Sequence, residues 1–367
     1  MLKKIKQLDR KLLIYLGLGI GFIFILLILM IILKLTVSSK ISPTTLEVRM
    51  KEAAQSYYKD NKKELPKNNG DVVSITINEL VNAEYLKNPD KTLKNGITCK
   101  GKVNVSKNNE YYLYQPIIEC SNKYKTNLLY KKIVENNSKP NGYDGLYKIN
   151  NYYLFRGENP NNYVNFANKK WRILRINSDN TIRMILVDNI ETTVWDDRYN
   201  TEKDENYGKN DFKISRIRDY LINVFKSKDI FNFNKNDKAL IVPTELCIGS
   251  RNPEAIGTDG SIECSKKTDK MSLGLLQVNE YTIVSLDVDC HTLNDIQCQN
   301  YNFLSKLNSF WTLTADSTNS YKVYKIYGIP SIANASTYSQ PKIVITISAD
   351  TLYSKGKGTN DNPYIIK

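Results

Sequence analysis

This chain has 367 residues, a formal net charge of +14, one histidine and six cysteines. A lone histidine and the lack of any Cys-x-x-Cys spacing argue against a Cys/His zinc finger and against a Cys–His or Ser–His nucleophilic pair. The basic excess is mostly lysine, which outnumbers arginine about four to one. No basic patch is interleaved with stacking aromatics, which argues against nucleic acid as a partner.

Residues 1–11 carry Lys3, Lys4, Lys6, Arg10 and Lys11 against Asp9 alone. From Leu12 to Leu33 no residue is charged. Such a run makes a helix of roughly 33 Å, enough to cross a hydrocarbon core of about 30 Å. The reading is a transmembrane helix over 12–34 in contact with the lipid bilayer. By the positive-inside bias the short N-terminus is cytoplasmic and the bulk of the chain lies outside the cell. A secretory leader cleaved near Val37 or Ser39 is the alternative, although leader cores usually span only about 7–15 apolar residues.

Beyond this segment the first folded region, 42–120, reads as α+β. In "SPTTLEVRMKEAAQSYYKD" Thr44 is expected to cap a helix with Glu47 reaching back, and Leu46, Met50, Ala53 and Tyr57 form its apolar stripe. In "TINELVNAEYLKNP" Thr76 and Glu79 form a second capping box, Leu80 and Val81 face inward, and Pro89 stops the helix. "ITCKGKVNVSK" and "YYLYQPIIEC" flank a polar turn and read as a hairpin that sets Cys99 opposite Cys120 and Lys107 opposite Tyr112. Val103, Val105, Tyr112, Tyr114 and Ile118 share the face of those cysteines. Pro116 marks the second strand as an edge.

All six cysteines, Cys99, Cys120, Cys247, Cys264, Cys290 and Cys298, follow the apolar run. An exported location favours disulfides, and sequence neighbours pair as Cys99–Cys120, Cys247–Cys264 and Cys290–Cys298. In "CHTLNDIQC" a metal site would have two Cys and His291 but no fourth ligand, so no metal is expected there.

Residues 121–142 are polar, end in Pro and Gly, and read as a linker. Past them, over 143–367, short β-type runs alternate with Asn, Asp and Gly. "YVNFANKKWRILRINSDNTIRMILVDN" reads as a three-strand meander turning at Ala167 to Lys169 and at Ser178 to Asn180. A helix is expected in "ISRIRDYLINVF", with Ile214, Ile217, Leu221 and Phe225 inward.

Two resemblances accompany these readings. The order of elements over about 12–120, and "NELVNAEYL" followed by "NPD", resembles type IV pilins and pseudopilins. Those proteins carry a Glu five residues into the mature chain, where a cut at Gly21–Phe22 would place Leu26. Over 143–367, the run Phe155-Arg156-Gly157-Glu158-Asn159-Pro160-Asn161-Asn162-Tyr163-Val164, then "WRIL", "TTVWD", "IRDYLI", "SFWTLT" and "GKGTNDNPYIIK", resembles an uncharacterised extracellular domain of low-GC Gram-positive bacteria. That family is similar to the C-type-lectin-like and sulfatase-modifying-factor folds. It commonly carries "GVRPV" near its end, where this chain has "SQPKIVITI" without the Arg.

No catalytic group and no cofactor emerge. Asp196 and Asp197 are adjacent, hence on opposite faces of a strand, and read as a solvated turn. "ENP" and "QPK" are not the Glu-Pro-Asn or Gln-Pro-Asp of calcium-dependent sugar binding, and "GKGTND" lacks P-loop spacing. Trp171 reads as half-buried packing. Trp195 and Trp311 are the candidate ligand-binding residues, because an exposed indole can stack on a sugar ring or anchor a protein partner. The expected function is a membrane-anchored surface protein presenting a non-catalytic binding domain to a cell-wall polymer, glycan or surface protein. The alternatives are a minor pilin-like part of a secretion or uptake machine, or an extracellular enzyme.

Overall fold

The computed structural model describes residues 40–367, apart from 139, 141–143, 228–229, 256–258 and 294, together with Tyr15. Among these residues no helix is long and apolar enough to cross a membrane. Apart from Tyr15, the membrane span expected over 12–34 lies outside them, as do the basic tail and Gly21–Phe22. The described chain is mixed α+β and rich in sheet. Its buried apolar side chains fall into two clusters, a smaller one between Ile41 and Cys120 and a larger one that fills most of the remainder.

The smaller cluster is organised by α1 (Pro43–Asp60). Its cap is Ser42, not Thr44: Ser42 Oγ accepts from the Thr45 amide at 3.2 Å, and Pro43 takes the first turn, where its missing N–H costs nothing. The helix buries Leu46, Met50, Ala53, Ala54 and Tyr58. The stripe thus runs to Tyr58, while Tyr57 is half-buried and donates its hydroxyl to Glu64 at 2.9 Å. After β1 (Val72–Thr76), α2 (Ile77–Asn82) starts with the expected box. The Glu79 amide donates to Thr76 Oγ1 at 3.2 Å, and Glu79 Oε2 accepts from the Thr76 amide at 2.7 Å. Leu80 is buried and Val81 half-buried. This helix ends at Asn82, well before Pro89, which instead opens a single turn of its own (Pro89–Thr92).

β2 (Cys99–Asn108) and β3 (Tyr111–Cys120) form the hairpin in the expected register, with Cys99 facing Cys120 and Lys107 facing Tyr112. The ladder continues to Asn108 and Tyr111, so Asn109 and Glu110 alone make the turn. Asn109 takes φ 55°, the left-handed conformation that tight hairpin turns require and Asn tolerates. With β1 these strands form a three-stranded sheet in which β3 is an edge, the position that Pro116 allows. The Cys99–Cys120 disulfide closes the open end.

The stretch expected as a linker is more than a tether. It holds α3 (Leu129–Asn136), whose Leu129 and Ile133 are buried in the larger core. That core is built on a mixed sheet. Its centre is the expected meander of β6 (Tyr163–Phe166), β7 (Lys169–Ile176) and β8 (Ile182–Leu186), flanked by Val344–Ile347 on one side and Tyr364–Ile366 on the other. Tyr364–Ile366 pairs parallel with β6, and the other ladders are antiparallel. Preceding these, β4 (Gly145–Ile149) and β5 (Tyr152–Arg156) form a hairpin that joins β7 through β5. The two-residue turn Ala167–Asn168 adopts φ 50° and 58°, and Asn180 turns the next strand at φ 64°. α4 (Arg216–Lys226) buries Ile217, Leu221 and Val224; Ile214 is exposed, because it precedes the Ser215 cap and leaves the helical phase. The remaining disulfides are Cys247–Cys264 and Cys290–Cys298, as the spacing predicts.

Candidate functional site

A cavity of about 420 Å³ opens between the two cores. From the smaller side it is lined by one face of α1, where Glu47, Val48, Lys51, Glu52 and Gln55 recur at helical spacing, and by Leu113 to Pro116 of β3. The larger side contributes Phe166 and Ala167 from the meander turn, Asp350, Leu352, Ile366 and Lys367. It also contributes Asp237 and Leu240 of α5 (Lys235–Leu240) and Asn234, which caps that helix. Volumes of this order, at a boundary between packed units, are where small ligands commonly bind.

Specific bonds hold the two walls together. Asn108 Nδ2 at the hairpin tip donates to the carbonyls of Ala239 and Ile241 at 3.0 and 2.7 Å. The Gln115 amide donates to the Asp350 carbonyl. At the end of the groove Glu47 is buried and accepts from Tyr124 Oη at 3.0 Å, from Thr126 Oγ1 and from Lys367 Nζ. Lys367 also donates to Tyr124 Oη at 3.1 Å. Burial lowers the Lys367 ammonium pKa, but its bonds to Glu47 and Tyr124 outweigh this and raise it.

The groove is polar in a particular sense. Glu47, Glu52, Asp237 and Asp350 face Lys51 and Lys367, so carboxylates outnumber ammonium groups by two in a chain whose net charge is +14. Burial raises the Asp350 carboxyl above the ordinary carboxylate range. It does the same for Asp237, opposed by the Asn234 amide and by Lys51. Burial also lowers the Lys51 ammonium, with Asp237 pulling the other way. In each of these groups loss of water is the largest influence on the charge, so a ligand charge placed among them is felt strongly. Between the charges lies an apolar floor of Leu113, Phe166 and Leu352.

Trp195 and Trp311 do not line this groove, and neither can meet a ligand. Both are fully buried. Trp195 Nε1 donates to the Thr312 carbonyl at 3.0 Å and Trp311 Nε1 to the Thr193 carbonyl at 2.8 Å, so each indole is satisfied by backbone beside the other. Their function is packing: a large apolar ring with one polar handle fills a core well once that handle has a partner. Trp171 is likewise fully buried, not half-buried, stacked on Phe231 at 5.9 Å with Nε1 on the Phe166 carbonyl.

Asp196 and Asp197 lie in the loop that follows the short strand Thr193–Val194, and only one of the two is solvated. Asp197 is exposed and meets Arg216 at 3.1 Å. Asp196 is buried, bridges to Arg198 at 2.6 Å and accepts the amides of Lys209 and Arg216 at 2.8 and 3.1 Å. In the "SQPKIVITI" stretch, Lys342 is buried and donates to the carbonyls of Val187 and Asp188 and to Asn189 Oδ1 at 2.7, 3.1 and 2.9 Å. His291 is exposed beside the Cys290–Cys298 disulfide.

The groove residues themselves were not singled out in the sequence, where Glu47 was absorbed into a helix cap. One signal was present: a glutamate three residues before Met50 and seven before Ala54, on the face that the helix buries. A charge on an apolar stripe needs a partner from elsewhere in the chain. Searches against family models, curated proteins and solved structures returned no match.

Proposed function

We propose that this chain is a membrane-anchored bacterial cell-surface protein that binds an amine-bearing surface glycan, without catalysis, in the groove between its two cores. In this reading the apolar run 12–34 holds the protein in the bilayer. The pilin-like smaller unit then carries a lectin-like larger unit away from the membrane. Three disulfides support an oxidising exterior.

The observation that carries the proposal is the inversion of charge. A strongly basic chain places an excess of carboxylates, two of them with raised pKa, over an apolar floor. Such a lining favours a cation joined to apolar surface, as an amino sugar presents with its ammonium and the C–H face of its ring. Neutral sugars would leave the carboxylates uncompensated.

The test is binding of a glucosamine oligomer to the full chain, compared with its N-acetylated counterpart. The free amine form is expected to bind at least about tenfold more tightly, with an affinity that falls as salt rises. Glu52→Gln and Asp350→Asn should each weaken it. Equal affinity for the two oligomers, or no binding of either, overturns the reading.

An extracellular hydrolase is the second reading, favoured by the raised carboxyls of Asp237 and Asp350 in one groove. Mass spectrometry of the oligomer after long incubation separates the two: shortened products would support the enzyme and an unchanged oligomer the binder.

A further inference from the structure

Lys40 and Ile41 are the first described residues after the apolar run, and Ile41 is tied into the smaller unit by a parallel bridge to Leu93. The Ile41 amide donates to the Thr92 carbonyl at 2.8 Å, and the Lys94 amide donates to the Ile41 carbonyl at 3.1 Å. This junction is basic. Lys40 Nζ donates to the Lys91 carbonyl at 2.9 Å, which sets Lys40 beside Lys91 and Lys94. Lys87 belongs to the same loop. All four lysines are exposed, and none joins an ion pair among the described residues.

Beside the junction lies a cavity of about 370 Å³, walled by Ile41, Leu46, Leu86 and Thr92. Its charged lining is Arg49 and Lys87 against Glu52. Tyr85 lines it too, with its hydroxyl spent on Asp60 at 2.7 Å. Arg49 is half-buried and makes no hydrogen bond or ion pair among the described residues. A guanidinium partly withdrawn from water without a carboxylate is a ready partner for a phosphate, whose oxygens its planar fork matches. With Glu84 and Asp90 of the loop counted, the four lysines and Arg49 outnumber the carboxylates by two.

Position gives this surface its partner. Leu33, where the uncharged run ends, precedes Ile41 by eight residues. Even fully extended these span only about 28 Å, and the headgroup layer fills the first 5–8 Å or so beyond the hydrocarbon. Attraction between exposed charges and anionic headgroups fades over about 8 Å at physiological salt, so a basic end on so short a tether is held once it settles on the surface.

We propose that this end of the smaller unit rests on anionic phospholipid headgroups, its lysines on the surface and one headgroup phosphate seated between Arg49 and Lys87. The proposal rests on the reading that the apolar run 12–34 stays in the bilayer. It adds that the folded unit is held down on the membrane and does not swing freely from its anchor, which fixes the direction in which the inter-core groove faces.

The test is pulsed amine labelling of the full chain in lipid nanodiscs with a neutral reagent, read peptide by peptide by mass spectrometry. Discs of phosphatidylcholine with about a third phosphatidylglycerol are compared with pure phosphatidylcholine. Labelling of Lys87, Lys91 and Lys94 should slow about threefold or more in the anionic discs, and the protection should vanish in high salt. Lys270 and Lys357, exposed on the larger unit, should label alike in both. Lys91→Gln with Lys94→Gln, and separately Arg49→Gln, should restore the labelling of Lys87; protection that survives both would reflect mere nearness to the bilayer and overturns the proposal. A chain that does not co-elute with the discs sinks the anchor and the proposal together. A chain that co-elutes but labels alike in the two lipids overturns the proposal alone. Protection that appears only when soluble polyphosphate is added would assign this end to a wall polymer, and overturns the lipid as its partner.

Discussion

The smaller and the larger core bury charge in opposite ways. The smaller one is almost wholly apolar, its strands are neighbours in sequence, and one disulfide closes its hairpin. Glu47 is the charge it buries, and the partners of Glu47 come from outside it, at Thr126 and Lys367. The larger core is threaded with internal ion pairs. Arg251 and Glu263 meet at 2.8 Å with no exposure, and Glu280 holds Arg175 and Arg183. A small local unit can be held by hydrophobic burial and a covalent tie. A sheet assembled from strands far apart in sequence has buried polar pairs that disfavour wrong registers, since a slipped strand would strand a charge.

If the contrast is real, the largest effect should come from breaking a shared ion pair in the larger core. Glu280→Ala leaves the buried Arg183 and the half-buried Arg175 without their carboxylate and should cost about 3 kcal/mol, read as a drop in melting temperature. A loss no larger than that of a surface substitution would show that these pairs are ornamental. The same carboxylate sets a pH dependence. Its folded pKa, about 2, is below the ordinary value of 4.5, so its stabilisation is complete above pH 4.5 and is lost as pH falls toward 2. Acid titration of the parent should show an unfolding step in that window that Glu280→Gln weakens.

The covalent tie comes next. Replacing Cys99 and Cys120 together with Ser opens a loop with a sequence separation of 21 and should cost about 3 kcal/mol. Hydrogen exchange should quicken in β1 to β3 and stay slow in β6 to β8. Uniform quickening would mean that the two cores unfold as one body and that the contrast has no energetic content. Asn108→Ala removes both bonds to the Ala239 and Ile241 carbonyls and should cost about 1–2 kcal/mol, loosening the hairpin tip against α5. Smallest of all, Thr76→Ala removes the α2 cap and should cost about 1 kcal/mol, confined to the smaller core. An effect reaching the meander would again join what the comparison separates.

The smaller core was the more legible because its order is local. The hairpin register from Cys99–Cys120 to Lys107–Tyr112, the Thr76–Glu79 box and the edge position of Pro116 all follow from rules that act over a few residues. In the larger core the meander was legible for the same reason. Its closure was not, because the strands Val344–Ile347 and Tyr364–Ile366 arrive from more than 150 residues away. The tryptophans show the limit most clearly. Alternation in "KKWRILRI" implies one wet face, but a strand with neighbours on both sides and layers on both faces has none, and Trp171 is fully buried.

By itself, the sequence determined the α+β class, the three disulfide partners, the local turns and caps, and the long apolar run near the start, since each depends on residue type and short-range spacing. Only tertiary structure decided that Trp195 and Trp311 are packing, that Asp196 is an anchor, and that carboxylates from α1, α5 and the chain near Asp350 share one groove. Burial and charge balance are properties of what surrounds a residue. In this fold the surroundings come from the other end of the chain.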